Sequence, residues 1–356
     1  MAEIILNLHI HTKYSDGTGI HADIAEAALK SGTVDVVIVT DHNVYVQDVE
    51  KYYENGSRKI LLLAGEEIHD QARDPQKNHL LAFNTNRELA THAHEPQRLI
   101  DQVNQTGGLS FLAHPTDAAL PLFHETDITW ESWDVHGYTG IELWNAMSEF
   151  KTVIKSWIGA LKHAYLPELI AHNPDPALLE HWDKLLAEGQ KIVAIGGSDA
   201  HQLHYRVGPI KKVIFPYEFH FHCINTHLLT PHSLTGNMLT DKKMIYEALE
   251  KGHCFIGYDL PTPTTGFHFS AQGRDCEASM GDEIISPESI TLQIHAPAPA
   301  NIRLLCNGEV VEAWEQREVC TFTTKTPGAY RVEVTSYFLN QQRGWIYSNP
   351  IYYKNK

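Results

Sequence analysis

The sequence is short of cysteine, of long apolar runs and of positive charge, and each shortage removes a class of protein. Its five cysteines (Cys223, Cys254, Cys276, Cys306 and Cys320) are scattered, odd in number and without a CxxC pair. That argues against a disulfide framework and against a thiolate zinc site. No stretch approaches the roughly 18 consecutive apolar residues of a membrane span. The start, MAEIILNLHIHT, lacks the basic residues and long apolar core of a signal peptide. A cytoplasmic protein with no membrane partner is therefore expected. Lys and Arg number 28 against 44 Asp and Glu, a formal net charge of −16, which argues against a nucleic-acid polymer as partner. Internal repeats and low-complexity segments are also missing.

What is present is an ordinary globular composition, 43 % hydrophobic and 20 % charged, which excludes a disordered or fibrous chain. A length of 356 residues suggests two domains. The compositional oddity is 23 histidines, the side chain that titrates near neutrality and is the commonest imidazole ligand.

The stretch HIHTKYSDG organises the reading. It follows the strand-like run EIILNL, and side chains two apart on a strand share a face, so His9 and His11 are placed to chelate one ion, with Asp16 in the loop beyond. A lone His-x-His is more often a polar strand edge, so the case rests on the rest of the chain. Strand signals recur at 4–10, 34–40, 60–66, 79–84, 109–113, 140–144 and 192–197. Helical spacing occurs at 21–32, 46–55 and 94–106, and a long helical region follows residue 145. About seven strands, mostly linked by helices, predict a (β/α) barrel. His42, Glu67, His114, Glu142, Asp199 and His201 fall at or near strand C-terminal ends, and His79 opens a strand. The C-terminal end is where such barrels carry their sites. The Pro- and Thr-rich run after Asp259 reads as a linker, and the alternating segments beyond it read as a small β-sandwich. The expected division is a barrel over 1–258, a linker at 259–266 and an all-β, Ig-like sandwich over 267–356.

The ordered set HxH, SDG, TDH, GxE, H, AHP and GSDAH, over roughly residues 5–202, resembles the PHP (polymerase and histidinol phosphatase) superfamily of metal-dependent hydrolases. The two-domain layout is similar to its carbaryl-hydrolase-type branch. The resemblance implies a distorted (β/α)7 barrel and a ligand set of His9, His11, Asp16, His42, Glu67, His79, His114, Asp199 and His201 for two or three divalent ions. By that implication one ion lies among His9, His11, Glu67 and Asp199, a second among Glu67, His79 and His114, and a third among Asp16, His42 and His201. AGEEIH offers two glutamates, and spacing from Gly65 favours Glu67, with Glu66 on the surface or behind the ligands.

Imidazole and carboxylate donors suit Zn²⁺, Mn²⁺ or Fe²⁺. Closely spaced divalent ions lower the pKa of bound water from ~15.7 towards ~7, so a hydroxide bridging them would be the nucleophile. Hydrolysis of a small phosphorylated molecule is expected, with Glu67 and Asp199 at the catalytic centre and Arg206 gripping the phosphate. The alternative, on the same ions, is cleavage of a carboxyl or carbamate ester, which the scarcity of basic residues near the motifs favours. Lys13 is a weaker phosphate candidate, Asp41 is expected to orient an imidazole, and Glu142 either orients a ligand or is a buried partner. His220, His222, His227 and His232, with Cys223, form a second cluster with no accompanying carboxylate pattern and are expected at a domain or oligomer contact.

Overall fold

In the computed structural model the described residues are 1–207 and 210–355, and the side chains of residues 205–211 lie outside that description. The architecture is mixed α/β. The run EIILNL lies in β1 (Ala2–Leu8), and the helical spacing after it forms α1 (His21–Ser31). That helix stops at Gly32, whose φ of +77° is strained for any residue with a Cβ. β2 (Val36–Val39) runs parallel to β1. Residues 46–55, expected as a helix, instead end in β3 (Lys51–Asn55), which pairs antiparallel with β4 (Arg58–Ile68). Gly56, at φ +63°, makes the two-residue turn between them. Gly-Ser between two strand-forming runs is a hairpin signal, and here it prevails over helical spacing.

β4 also lies parallel to β2. β5 (Leu80–Phe83), α2 (Pro96–Gln105), β6 (Leu109–Leu112) and β7 (Gly140–Asn145) follow. Then come α3 (Ala146–Val153), α4 (Trp157–Tyr165), α5 (Pro176–Ala187) and β8 (Val193–Gly197). Each of the seven strand stretches read from the sequence coincides with one of these strands. β5 is antiparallel to both β4 and β6, whereas β6, β7 and β8 are mutually parallel in order. Past β8, Ala200 bridges in parallel to Ile10 beyond β1, so backbone hydrogen bonds lead from β1 round to β8 and back. Uniform β/α alternation is broken three times: β3 is inserted, β4 continues into β5 without a helix, and no α-helix lies between β6 and β7.

The strands sort their side chains by the two-residue period of extended chain. Leu6, Leu8, Val36, Ile38, Leu61, Leu63, Phe83 and Ile195 share one core with Ile245 and Leu249, which lie on α7 (Met238–Lys251). The alternate residues Val37, Val39, Ile60 and Leu62 pack with Ile24, Ala25 and Ala28 of α1. Each fully buried Leu or Ile contributes about 1.5–3 kcal/mol, so the two faces hold the strand ends rigidly.

After β8 lie β9 (Leu203–Val207), β10 (Ile210–Ile214), α6 (Tyr217–Phe221), β11 (Ile224–Thr230) and β12 (Cys254–Tyr258). The stretch VIFPYEFHFHCINTHLLT reads as strand throughout, but Pro216 opens a short helix in it, so His220 is on α6 and only His227 is on a strand. β11 pairs antiparallel with β1 and with β12. The remainder is β structure: β13 (His268–Gln272), β14 (Glu277–Ser279), β15 (Glu283–Ile285), β16 (Ile290–Cys306), β17 (Glu309–Thr324), β18 (Gly328–Phe338), β19 (Gln341–Ser348) and β20 (Ile351–Lys354). Its own core includes Phe269, Leu292, Ile302, Val332 and Trp345. β19 pairs antiparallel with β12, so this part is bonded edge to edge with the first. Among the described residues no helix is long and apolar enough to cross a membrane.

Candidate metal centre

The backbone brings the predicted residues to one rim. His9 and His11 follow β1, His42 follows β2, Glu67 is the penultimate residue of β4, His114 follows β6, and Asp199 and His201 follow β8. His79 precedes β5 and still joins them, because β5 runs antiparallel to its neighbours and begins where they end. The convergence of His9 and His11 is not the strand alternation expected from sequence. β1 stops at Leu8, and His9 sits at φ +68°. Asp199 (φ +52°) and His114 (φ +28°) are likewise left-handed. Such backbone costs about 1–3 kcal/mol per residue and gathers at functional sites.

Glu67, fully buried, is the hub. Its Oε2 lies 2.9 Å from His9 Nε2, 3.2 Å from His11 Nε2 and 3.2 Å from His42 Nδ1. Its Oε1 lies 2.7 Å from His79 Nδ1 and 2.8 Å from His114 Nε2. Asp199 Oδ1 is 3.1 Å from His11 Nε2 and 3.5 Å from His9 Nε2. Asp16 lies at the open edge, 56 % exposed, with Oδ1 3.1 Å from His201 Nε2 and Oδ2 3.6 Å from His42 Nε2. Donor atoms gather within 4.8 Å of one another in three groups: His9, His11, Glu67 and Asp199; His42, Glu67 and His79; and His11, Asp16, His42 and His201. All nine expected residues are thus together. The grouping differs from the implied one in that His42 stands with Glu67 and His79 as well as with Asp16. His114 reaches Glu67 without joining a group, and His11 joins the third.

Burial opposes charge here, yet the carboxylates stay ionised. Burial would raise Glu67, but the imidazoles of His42, His9 and His79 hold it well below the carboxylate range. Asp199 is held down in the same way by His9, His11 and His201. His79, where burial dominates, falls to about 4, whereas Glu67 and Asp199 raise His114 to about 9 against its burial.

Glu142 orients the ligands. Its Oε1 is 2.9 Å from His9 Nδ1, and its Oε2 accepts the His114 backbone N–H and Asn145 Nδ2, both at 2.9 Å. Gly197 makes room for this: a Cβ there would stand 1.9 Å from Glu142 Oε1. Asp41, expected to orient an imidazole, contacts none directly, though Ser15 Oγ, which it holds, lies 3.4 Å from His11 Nδ1. It accepts from Thr12 N (2.6 Å), Thr12 Oγ1 (2.7 Å) and Ser15 Oγ (2.7 Å), and so fixes the loop that leads to Asp16. Glu66 is neither on the surface nor behind a ligand. It is buried on the opposite face, and burial next to Glu88 pushes its carboxyl up to about 10. Lys13 is exposed. Arg206 lies in β9, and its side chain is outside the described residues.

Sequence reasoning missed His69. It is buried, its ring stacks on His79 at 4.4 Å between centroids, and it meets His42 edge-on at 5.1 Å. Two residues beyond Glu67, it follows the same alternation that places Glu67, and that was the signal to be read. The second histidine cluster disperses. His220 is buried on α6 without a hydrogen-bond partner and is lowered by burial to about 3. His222 ends α6, and His232 is exposed.

The donor set fits divalent cations. All donors are imidazole nitrogen or carboxylate oxygen. Four buried ring nitrogens make no hydrogen bond, although buried polar atoms are normally satisfied: His79 Nε2 and His114 Nδ1 have no partner, and His11 Nε2 and His42 Nδ1 face Glu67 Oε2 at 3.2 Å out of hydrogen-bond alignment.

Residues 7–172 match the PHP domain family, and this is the part that supplies all the ligand candidates except Asp199 and His201. Among solved structures, a two-domain protein from Bacteroides vulgatus containing a predicted PHP-like metal-dependent phosphoesterase aligns over 98 % of this chain and 95 % of its own, at 17 % identity and a TM-score of 0.45. No curated protein matches the chain.

Proposed function

We propose that the chain is a metal-dependent hydrolase of phosphoric esters, acting on a small phosphorylated molecule. The observation that carries this reading is a fully buried Glu67 touched by five imidazoles, with four ring nitrogens in the cluster left without a hydrogen bond. Protonating those rings would crowd like charges, and leaving them neutral strands their lone pairs. Cations bound among them remove both costs. His9, His11, Asp16, His42, Glu67, His79, His114, Asp199 and His201 would hold two or three such ions, of zinc, manganese or iron type. When bound, they supply an activated water and polarise the oxygens of the scissile group.

The chain's own residues do the positioning. Glu142 fixes the ring of His9 and the backbone of His114, and Asp41 fixes the loop before Asp16. Asp16, His42 and His201 are the solvent-facing members, so substrate would enter on their side. A hollow of about 340 Å³ begins at His114 and Glu142 and is lined by Thr116, Asn145, Ser148 and Trp144. It would receive the leaving group. Because no lysine or arginine among the described residues lines that hollow, an uncharged carboxyl or carbamate ester is the second reading. We further assign residues 1–258 to a distorted PHP-type barrel and 267–356 to a sandwich joined by 259–266.

Reconstituting the purified chain with Mn²⁺ or Zn²⁺ and assaying phosphomonoesters beside carboxyl and carbamate esters separates the two. Phosphate release that Asp199→Ala abolishes supports the first reading. Ester cleavage without phosphate release replaces it with the second.

A further inference from the structure

Beside the hollow at His114 lies another of about 430 Å³, and both include Thr152 and His172 in their walls. They differ in charge. Among the described residues the first contains Glu142, Glu149 and Asp175 and no lysine or arginine. These carboxylates are engaged: Glu149 accepts from Trp144 Nε1 at 2.7 Å and from the backbone N–H of His172 and Asn173, and Asp175 caps α5. The groups left to meet a ligand are hydroxyls and amides. The second hollow is lined by Lys155, Lys162, His163, His172, Gln341 and Arg343, and by no carboxylate among the described residues.

In a chain of net charge −16, a carboxylate-free group of three permanent cations is a departure. Two other basic residues, Lys77 and Lys151, are neutralised by carboxylates. Lys77 is 2.6 Å from Asp127, and Lys151 is 2.8 Å from Asp117. Lys155 and Lys162 are exposed and make no ion pair among the described residues. Arg343 is a fixed charge in the wall: it is buried, and its Nη1 donates to the carbonyls of Glu168 (2.9 Å) and Ala171 (2.8 Å).

We propose that this second hollow is an anion-binding subsite, and that the substrate is elongated, with a hydroxyl-bearing middle and a phosphate or carboxylate at the end remote from the cleaved bond. The position of the cleaved bond rests on the hydrolase reading, but the anion site does not. Its cations come from the α3–α4 segment and from β19. The β-rich C-terminal part thereby supplies one wall of the cleft. The scarcity of basic residues near the motifs, which spoke for an uncharged ester, is offset by cations that lie far from the motifs in sequence.

The test uses the full chain in two states. Inorganic phosphate titrated calorimetrically into metal-stripped protein at low salt is expected to bind one site. Lys155→Ala/Lys162→Ala is expected to weaken it about tenfold or more, because two charge-assisted hydrogen bonds to the anion disappear. Both lysines are exposed, so the melting temperature should hold. Lys155→Gln/Lys162→Gln repeats the measurement should the first variant fold poorly. In metal-loaded protein, fructose 1,6-bisphosphate should be preferred over fructose 6-phosphate in kcat/KM, and the double variant should lose that preference through KM. No saturable phosphate binding, or binding equal in variant and wild type, overturns the subsite even if turnover is normal. Absent turnover with normal phosphate binding overturns the hydrolase reading alone.

Discussion

Around Glu67, imidazoles outnumber the carboxylates they touch and four ring nitrogens make no hydrogen bond, whereas His227, fully buried, has both nitrogens satisfied. Its Nδ1 is 2.7 Å from Glu3 Oε1, and its Nε2 is 3.0 Å from Asp259 Oδ2 and 3.0 Å from Thr264 Oγ1. The carboxylates are satisfied in turn: Glu3 Oε2 accepts from Gly266 N, and Asp259 accepts from Asn225 Nδ2 and from Thr264. The same residue types, with the same burial, thus produce two different objects. A closed network ties β1, β11 and the stretch after β12 together and needs nothing further. An open one at the strand ends is incomplete without a ligand.

The most severe way to break the contrast is Asp199→Ala. It removes a carboxylate shared by His9 and His11, and turnover is expected to fall by at least about 10³-fold, equivalent to about 4 kcal/mol of barrier. Metal content by atomic absorption should fall with it. A variant that keeps both its metal and its rate would show that the cluster at Glu67 is only structural.

His227→Leu attacks the closed network and should do the reverse. Removing the cation strands two partly buried carboxylates, so stability should fall by about 3 kcal/mol, while metal content and kcat of the folded fraction hold. The effect has a pH signature. Burial lowers His227, but Asp259 and Glu3 outweigh it and raise the imidazole from 6.5 to about 9. Its contribution is therefore fully present below the unfolded value of 6.5 and is lost as pH rises through about 9. Urea unfolding of wild type and variant at pH 6, 8 and 10 should show the gap narrowing as pH rises. A gap that widens instead would contradict the assigned charge.

Chelation probes the open network without mutation. If ions are bound at 100 times their Kd, removing them costs about 2.7 kcal/mol of stability. The loss should be the same in wild type and in His227→Leu, and absent in Asp199→Ala. An equal loss in Asp199→Ala would place the stabilising ions elsewhere.

The open cluster was legible because its residues sit in short motifs at strand ends, where position along a strand dictates position in space. The seven strands themselves were legible from continuous apolar runs such as VDVVIVT. What failed had competing local signals. Residues 46–55 carry helical spacing, yet pairing with β4 across Gly56 makes a strand of their end. The stretch around His220 looks β-branched and aromatic, but Pro216 opens a helix there. Glu66 beside Glu67 shows the limit of counting: both are buried, and only the strand's two faces separate the protonated carboxyl from the ionised hub. The closed network and the basic hollow were illegible for another reason. Glu3 meets residues more than 220 positions away, and Lys155 lines a wall with Arg343. No local pattern records such pairings.

The finest test separates holding an ion from orienting the residue that holds it. Glu142 touches no other carboxylate and joins none of the three donor groups, but it accepts from the His114 backbone and lies beside His9 Nδ1. In Glu142→Gln the amide keeps the shape and has one acceptor where there were two. If its oxygen faces His9, its NH₂ meets the His114 N–H and the Asn145 amide, donor against donor. Loss of such support lowers metal affinity by about 10–100-fold, so competition against a chromophoric chelator should show a weaker Kd. Saturating metal should restore most of kcat, because the ligands themselves remain. An unchanged Kd would reduce Glu142 to a packing residue, and a kcat that stays low at saturation would make it part of the chemistry.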